Sequence, residues 1–165
     1  MNNRFQNHHR TPKYKNEWIT PPEIIEALGP FDLDPCAPTV SPWITAKVKH
    51  SIPELLGHNG FDRPWKGRVW LNPPYSQAAK WMKKLSIHGN GIALIFARTE
   101  TKYFFESIWN KADGLLFLKG RLHFYHTNGT RSKYNSGAPS VLVAYGKNNA
   151  SILKSCILEG KYISL

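Results

Sequence analysis

The sequence is poor in cysteine and has neither a long apolar run nor an apolar N-terminal segment. Cys36 and Cys156 are the only cysteines among 165 residues, which is too few for a disulfide framework and fits a reducing compartment. No apolar stretch approaches the roughly 20 residues that cross a bilayer, and residues 1–15 are polar and basic. These absences argue against a secreted disulfide scaffold and predict a soluble, cytoplasmic protein of one domain.

Acidic residues are also scarce, and they are unevenly distributed. The chain has 22 Lys and Arg residues against 11 Asp and Glu residues, a formal net charge of +11. No carboxylate side chain occurs between Asp113 and Glu159, although this interval contains six basic residues. The imbalance favours a polyanionic partner such as a nucleic acid, the alternative being a solvated basic surface. The six residues are Lys119, Arg121, Arg131, Lys133, Lys147 and Lys154.

The start of the chain differs in composition from the remainder. Residues 1–16 contain almost no apolar side chains, which predicts a flexible basic arm ahead of a single domain at residues 17–165. The pattern then changes, because Thr20 suits the cap of a helix, Pro21 suits its first position and Glu23 completes a capping box. We therefore expect the first helix to begin at this point.

Strands and helices alternate along the rest of the chain. Short apolar runs bounded by turn residues indicate strands, and apolar residues at helical spacing indicate helices. The first strand is expected to stop at Pro35. Alternation that ends in consecutive strands predicts an α/β domain with a mostly parallel sheet and a C-terminal antiparallel hairpin. Strands are expected at residues 31–34, 68–71, 91–96, 115–118, 121–125 and 140–145, and helices at residues 21–28, 77–85 and 102–110.

Two polar residues stand where successive predicted strands end. Asp34 ends the first strand, and Asn72 follows the next strand that the pattern clearly indicates. Ligands of open α/β sheets bind outside the carboxyl ends of the strands. The sequence therefore predicts that Asp34 and Asn72 face the same crevice.

The turn Asn72-Pro73-Pro74-Tyr75 carries a specific chemical possibility. The exocyclic amino group of adenine is a poor nucleophile, because its lone pair is delocalised into the ring. Two acceptors placed against its N–H bonds restore that lone pair, and the Asn72 side-chain oxygen and the Pro73 carbonyl can be those acceptors. Pro74 restricts the conformation of Pro73 and so fixes its carbonyl. Tyr75 offers an aromatic face to a base extruded from DNA.

The segment Leu71-Asn72-Pro73-Pro74-Tyr75 looks like the catalytic motif of amino-methyltransferases. Over roughly residues 16–146, the chain resembles the phage-encoded DNA adenine methyltransferase family. The landmarks are Glu17-Trp18-Ile19-Thr20-Pro21, Phe31-Asp32-Leu33-Asp34, Trp65-Lys66-Gly67-Arg68-Val69-Trp70, Ala97-Arg98-Thr99-Glu100-Thr101, Gly120-Arg121-Leu122 and Gly137-Ala138-Pro139-Ser140.

The resemblance implies a Rossmann-like fold and a site-specific adenine N6-methyltransferase that uses S-adenosylmethionine. The chain departs from the usual pattern because no glycine lies between Phe31 and Leu56, where many such enzymes have a Gly-rich turn. Asn59 also stands where the family tends to have aspartate. Cys36 lacks an identifiable base and is interpreted as a packing residue beside the cofactor. The residues that the resemblance assigns to the cofactor are Thr20, Pro21, Asp34, Pro35, Cys36, Ala37, Asn59 and Phe61.

Contacts with DNA are expected from basic residues near strand ends. Arg98 and Thr99 follow a buried strand and suit a phosphate or the base pocket, although Arg98 has carboxylates nearby in the sequence as alternative partners. Arg121, Arg131 and Lys133 suit the DNA backbone, the alternative being a solvated hairpin.

No metal site is expected at His123 and His126. Their spacing of three residues would place them on opposite faces of a strand.

Three other functions remain open at this point. The same turn occurs in enzymes that methylate protein glutamine, RNA adenine is a related substrate, and a basic DNA-binding module without catalysis is a third possibility. We expect DNA to be the partner, the chain to act as a monomer in a bacterial host cell with a phage or prophage origin, and the target sequence to be short or relaxed.

Overall fold

The computed structural model describes residues 18–51 and 60–165. The predicted arm at residues 1–16 and the predicted cofactor residue Asn59 lie outside the described residues. The elements in chain order are α1 (Pro22–Leu28), β1 (Leu33–Ala37), β2 (Val48–Ser51), β3 (Val69–Leu71), α2 (Ala78–His88), β4 (Gly91–Phe96), α3 (Lys102–Phe104) continued by a π-helical turn (Phe105–Trp109), β5 (Gly114–Leu118), β6 (Ser140–Tyr145), α4 (Lys147–Ser155) and β7 (Gly160–Ser164).

The described strands form one seven-stranded sheet in the order β2-β1-β3-β4-β6-β5-β7. Strands β1 to β4 pair in parallel, whereas β6 runs antiparallel to β4 and β5, and β7 runs antiparallel to β5. The α/β class is confirmed, but a mostly parallel sheet is not. The longest registers are antiparallel, because β6 inserts between β4 and β5 over six residue pairs with β4.

Two apolar clusters cover the two faces of the sheet. Alternate residues of a strand point to opposite faces, so Val141 and Val143 belong to one cluster while Leu142 and Ala144 belong to the other. Helix α2 and the π-helical turn pack on the first face, and α1 and α4 pack on the second. The central strands of the sheet are thus buried on both sides, and their ends are left to form a site.

The predicted hairpin between residues 121–125 and β6 is wrong. Residues 121–124 form no strand, and Tyr125 makes only isolated bridges with Ile19 and Arg131. The backbone of this segment instead pairs with the loop that follows it, because Ser132 and Ser136 donate their N–H groups to the carbonyls at positions 124 and 122. This pairing leaves β6 free to enter the middle of the sheet.

The capping box predicted at the first helix is also wrong. Helix α1 begins at Pro22 with Pro21 as its N-cap, and no side chain caps it. The hydroxyl of Thr20 instead accepts a hydrogen bond from the side-chain amide of Asn72 at 3.2 Å. Thr20 therefore belongs to the site and not to the helix terminus.

Strand β1 continues through Pro35 to Ala37, so the expected stop at Pro35 is wrong. Its partner β3 pairs with it only at Leu33, and its register with β2 shifts between Asp34 and Ala37. Proline is tolerated at such an irregularity, because no ladder hydrogen bond is lost there.

Candidate active site

A cavity of about 340 Å³ opens at the carboxyl ends of β1 and β3. This volume lies within the range of small-molecule sites, roughly 300–1,000 Å³. Both Asp34 and Asn72 line the cavity, which confirms that they share one crevice. The other lining residues are Trp18, Ile19, Thr20, Cys36, Pro38, Thr45, Trp70, Pro73, Pro74, Tyr75 and Ser76.

The Asn72 side chain is held in one orientation. Its Nδ2 donates to the Thr20 hydroxyl, while its Oδ1 makes no hydrogen bond to any residue that the structure describes. The Pro73 carbonyl likewise accepts no hydrogen bond within residues 18–51 and 60–165. Two adjacent acceptors therefore remain available at the cavity, and an unpaired acceptor favours a ligand that donates N–H groups.

The turn that carries these acceptors is stiff. Pro74 has an extended conformation, with φ −55° and ψ 129°, and its carbonyl accepts the N–H of Gln77 at 2.9 Å. A helical turn over Tyr75–Gln77 then leads directly into α2. A preorganised group does not have to be ordered again when a ligand binds, so the stiffness favours a fixed geometry for the reacting atoms.

Tyr75 presents one covered and one partly open side. Its ring stacks on Phe96 with centroids 3.6 Å apart and planes 11° apart, and the residue is 42% exposed. Burial of its hydroxyl raises the pKa of Tyr75, so the phenol stays neutral at physiological pH. The ring is thus a neutral, supported platform at the cavity.

Asp34 is almost completely buried, although it lines part of the cavity. Its Oδ1 accepts the N–H of Cys36 at 3.1 Å, and its Oδ2 accepts the hydroxyl of Thr45 at 2.5 Å. Burial raises the pKa of Asp34 from 3.8 to about 6, although these hydrogen bonds and the charge of Lys49 oppose the rise. The carboxylate is therefore oriented and remains ionised near neutral pH.

Cys36 has the surroundings of a packing residue. It lines the cavity and belongs to the apolar cluster under the sheet. Burial and the nearby charge of Asp34 raise the pKa of the thiol well above its usual value, which disfavours the nucleophilic thiolate.

Of the other predicted cofactor residues, the four that the structure describes do not line this cavity. Pro21, Pro35 and Ala37 are buried beside it in the chain, and Phe61 packs edge-on against Trp81 with centroids 5.2 Å apart. Among the described residues of the predicted cofactor set, the structure brings together Thr20, Asp34 and Cys36 at this cavity.

Trp18 is a site residue that reasoning from single motifs did not single out. It is held by its neighbour Ile19, whose backbone exchanges two hydrogen bonds with Tyr125 at 2.9 and 3.0 Å. The Trp18 ring also lies 5.0 Å from that of His126. Trp18 does lie in Glu17-Trp18-Ile19-Thr20-Pro21, one of the segments that resemble the family, and this membership could have indicated a role at the site.

A second cavity, of about 220 Å³, adjoins the first and shares Trp18 and Tyr75 with it. Its walls are mostly aromatic, and the loop after Arg131 supplies its polar groups. The other lining residues are Phe96, Phe124, Ser132, Tyr134, Asn135, Ser136 and Gly137.

The residues predicted to contact DNA lie outside both cavities. Arg98, Arg121, Arg131 and Lys133 are exposed, and the carbonyl of Thr99 accepts the indole N–H of Trp109 at 3.2 Å. Exposure leaves Arg98, Arg131 and Lys133 available to a polyanion, whereas Arg121 also donates a hydrogen bond to a neighbouring loop.

Arg121 and His123 help to hold the loop beside the second cavity. Arg121 donates to the carbonyl of Ser136 at 3.3 Å, and the His123 ring lies within hydrogen-bond distance of the Ser132 carbonyl. Histidine, cysteine and carboxylate side chains form no cluster of three in the described part of the chain.

The described chain thus combines an α/β sheet with a cavity at its strand ends that carries two unpaired acceptors and an aromatic ring. The family model described as DNA N-6-adenine-methyltransferase (Dam) matches residues 7–157, and the chain belongs to this family. This confirms the resemblance and identifies a DNA adenine methyltransferase. Neither curated proteins nor solved structures give a match. No described helix is long and apolar enough to cross a membrane.

Proposed function

We propose that the chain transfers a methyl group from S-adenosylmethionine to the N6 amino group of an adenine extruded from DNA. The observation that carries the proposal is the pair of acceptors, Asn72 Oδ1 and the Pro73 carbonyl, left unpaired by the described residues at the wall of a ligand-sized cavity. Family membership supplies the substrate class, and the acceptors supply a chemical reason for the reaction.

The two acceptors make the amino group reactive. When both N6 hydrogens are held by oxygens, the nitrogen moves toward a tetrahedral geometry and its lone pair becomes available. With S-adenosylmethionine bound, the N–C bond would form as the S–C bond breaks, and the proton of N6 would leave afterwards to solvent. No strong general base is needed, which agrees with the absence of an unpaired carboxylate or histidine among the described residues that line this cavity.

The first cavity fits the cofactor in size and chemistry. S-adenosylmethionine supplies an electrophilic methyl group when bound. The ionised, buried carboxylate of Asp34 suits its ammonium or ribose hydroxyl groups, and Thr20 and Trp70 complete a wall that is part polar and part apolar. The cofactor would thus lie on the Asp34 side, with the adenine between Asn72 and Tyr75.

Extrusion of the base follows from the enclosure of the site. An amino group paired inside a duplex cannot reach acceptors at the wall of a cavity, so the base must leave the stack. The net charge of +11 supports binding to the DNA backbone during this step.

Labelled cofactor offered separately to adenine-containing DNA, RNA and protein tests the proposal. Digestion of the product followed by mass spectrometry should identify N6-methyladenine from DNA. Label in protein glutamine or in RNA alone would contradict the proposed substrate.

A further inference from the structure

Building on the proposed function, we propose that the second cavity receives the ring of the target adenine and that Asn135 reads a ring nitrogen of that base. The inference assigns substrate selection to a loop that has no part in the methyl transfer itself.

The second cavity has the size and walls of a nucleobase site. Trp18, Tyr75, Phe96 and Phe124 give it aromatic surfaces, and its volume is about 220 Å³. Because Tyr75 lines both cavities, a ring that stacks there can keep its amino group at the acceptors of the first. Base stacking on aromatic side chains is favourable for any base, so it gives affinity without selection.

Both serine hydroxyls of the second cavity are already engaged. Ser132 Oγ donates to the carbonyl of Tyr134 and accepts its N–H, and Ser136 Oγ donates to the carbonyl of Ala138. The Asn135 amide and the Tyr134 hydroxyl, both on exposed residues, make no hydrogen bond to any residue that the structure describes. Of these two, only the Asn135 carboxamide carries a separate donor and acceptor, so it is the one suited to pair with a base edge.

The loop that carries Asn135 is fixed from both sides. Its flanking residues Ser132 and Ser136 pair with the backbone at positions 124 and 122 at 2.8 and 2.6 Å, and Arg121 adds a bond to the Ser136 carbonyl. A side chain on a tethered loop loses less entropy when it binds, which favours a specific contact over a loose one.

A carboxamide matches the edge of adenine. Asn and Gln pair with adenine edges through one donor and one acceptor. With both N6 hydrogens held at Asn72 and Pro73, the ring nitrogens N1 and N7 remain as acceptors for the Nδ2 group of Asn135.

Substrates with single atoms replaced test this assignment. DNA carrying 1-deazaadenine or 7-deazaadenine at the target position is compared with adenine DNA, using the wild type, Asn135→Ala and Asn135→Asp. Both kcat/KM for methylation and Kd without cofactor are measured. Asn148→Ala is the matched control, because Asn148 is exposed on α4, outside both cavities.

We expect one of the two analogues to lower kcat/KM and DNA affinity of the wild type about 10-fold, and to have little effect on Asn135→Ala. Asn135→Asp should weaken binding of adenine DNA further, because a carboxylate cannot donate to a ring nitrogen, and Asn148→Ala should behave as the wild type.

The assignment would be overturned if the analogues lowered kcat/KM and DNA affinity equally in the wild type and Asn135→Ala, or if they had no effect on the wild type. If no DNA is methylated but the analogues still weaken DNA binding as expected, the proposed reaction is wrong and the role of Asn135 is retained.

Discussion

The two cavities share Trp18 and Tyr75 but are built from different parts of the chain. The first is formed by residues at the ends of β1 and β3 and by the rigid turn that follows, so the sheet fixes its acceptors. The second is formed largely by residues 132–137, a loop held to its own neighbouring segment. Our proposals therefore assign methyl transfer to residues fixed by the sheet and the choice of base to a surface loop, the kind of segment that commonly carries specificity.

The largest effect should follow from removing the first acceptor. In Asn72→Ala, the amino group loses one of its two hydrogen-bond partners, and we expect kcat to fall by about 100-fold or more. Affinity for S-adenosylmethionine should stay nearly unchanged by calorimetry, because the Asp34 side of the cavity is intact. Wild-type turnover by this variant would break the account of the first cavity.

The buried carboxylate of the first cavity should make stability depend on pH. Because the folded chain holds the Asp34 proton more tightly than the unfolded chain, its stabilising contribution is greatest at low pH and falls as pH rises through about 4 to 6. The free energy of unfolding of the wild type relative to Asp34→Asn should fall by roughly 3 kcal/mol across this window. Parallel curves for the two proteins in denaturant titrations would contradict the raised pKa.

Tyr75, which lines both cavities, should contribute to binding of the target base and not to binding of the cofactor. Tyr75→Ala removes the platform supported by Phe96 and should weaken binding of DNA with an unpaired target adenine by roughly 1–3 kcal/mol. Tyr75→Phe keeps the ring and should bind nearly as the wild type. Equal affinities of the alanine variant and the wild type would argue against stacking.

The smallest effects are expected outside both cavities. Replacing Arg131 or Lys133 with alanine should weaken binding to all DNA sequences alike and lower the slope of log K against log salt by about 1 for each phosphate that is no longer neutralised. A change of target preference in either variant would show that these residues read bases.

The sequence predicted the first cavity better than the second. The turn at Asn72 is a local motif placed after a strand, so both its position and its chemistry can be inferred from neighbouring residues. Thr45 was not predicted, because it reaches Asp34 from a loop 11 residues away. The second cavity was not predicted, because it depends on backbone pairing between residues 121–125 and 131–137. The sequence pattern had predicted a strand for the first of these segments and an unpaired loop for the second.

Strand order was the main error in the fold. Consecutive strands usually lie side by side, which favoured a hairpin before β6. The chain instead places β6 between β4 and β5, and β7 adds one more antiparallel strand next to β5. Both α4 and β7 follow the last element that was predicted from the sequence. The identity of each neighbour is set by packing across the whole sheet, which local apolar patterns do not encode.

The most direct test of the central claim is a solved structure of the protein with S-adenosylhomocysteine and DNA containing the target adenine. We expect the adenine N6 to lie within hydrogen-bond distance, roughly 2.7–3.2 Å, of both Asn72 Oδ1 and the Pro73 carbonyl. An adenine held elsewhere, or either oxygen turned away from N6, would contradict the account.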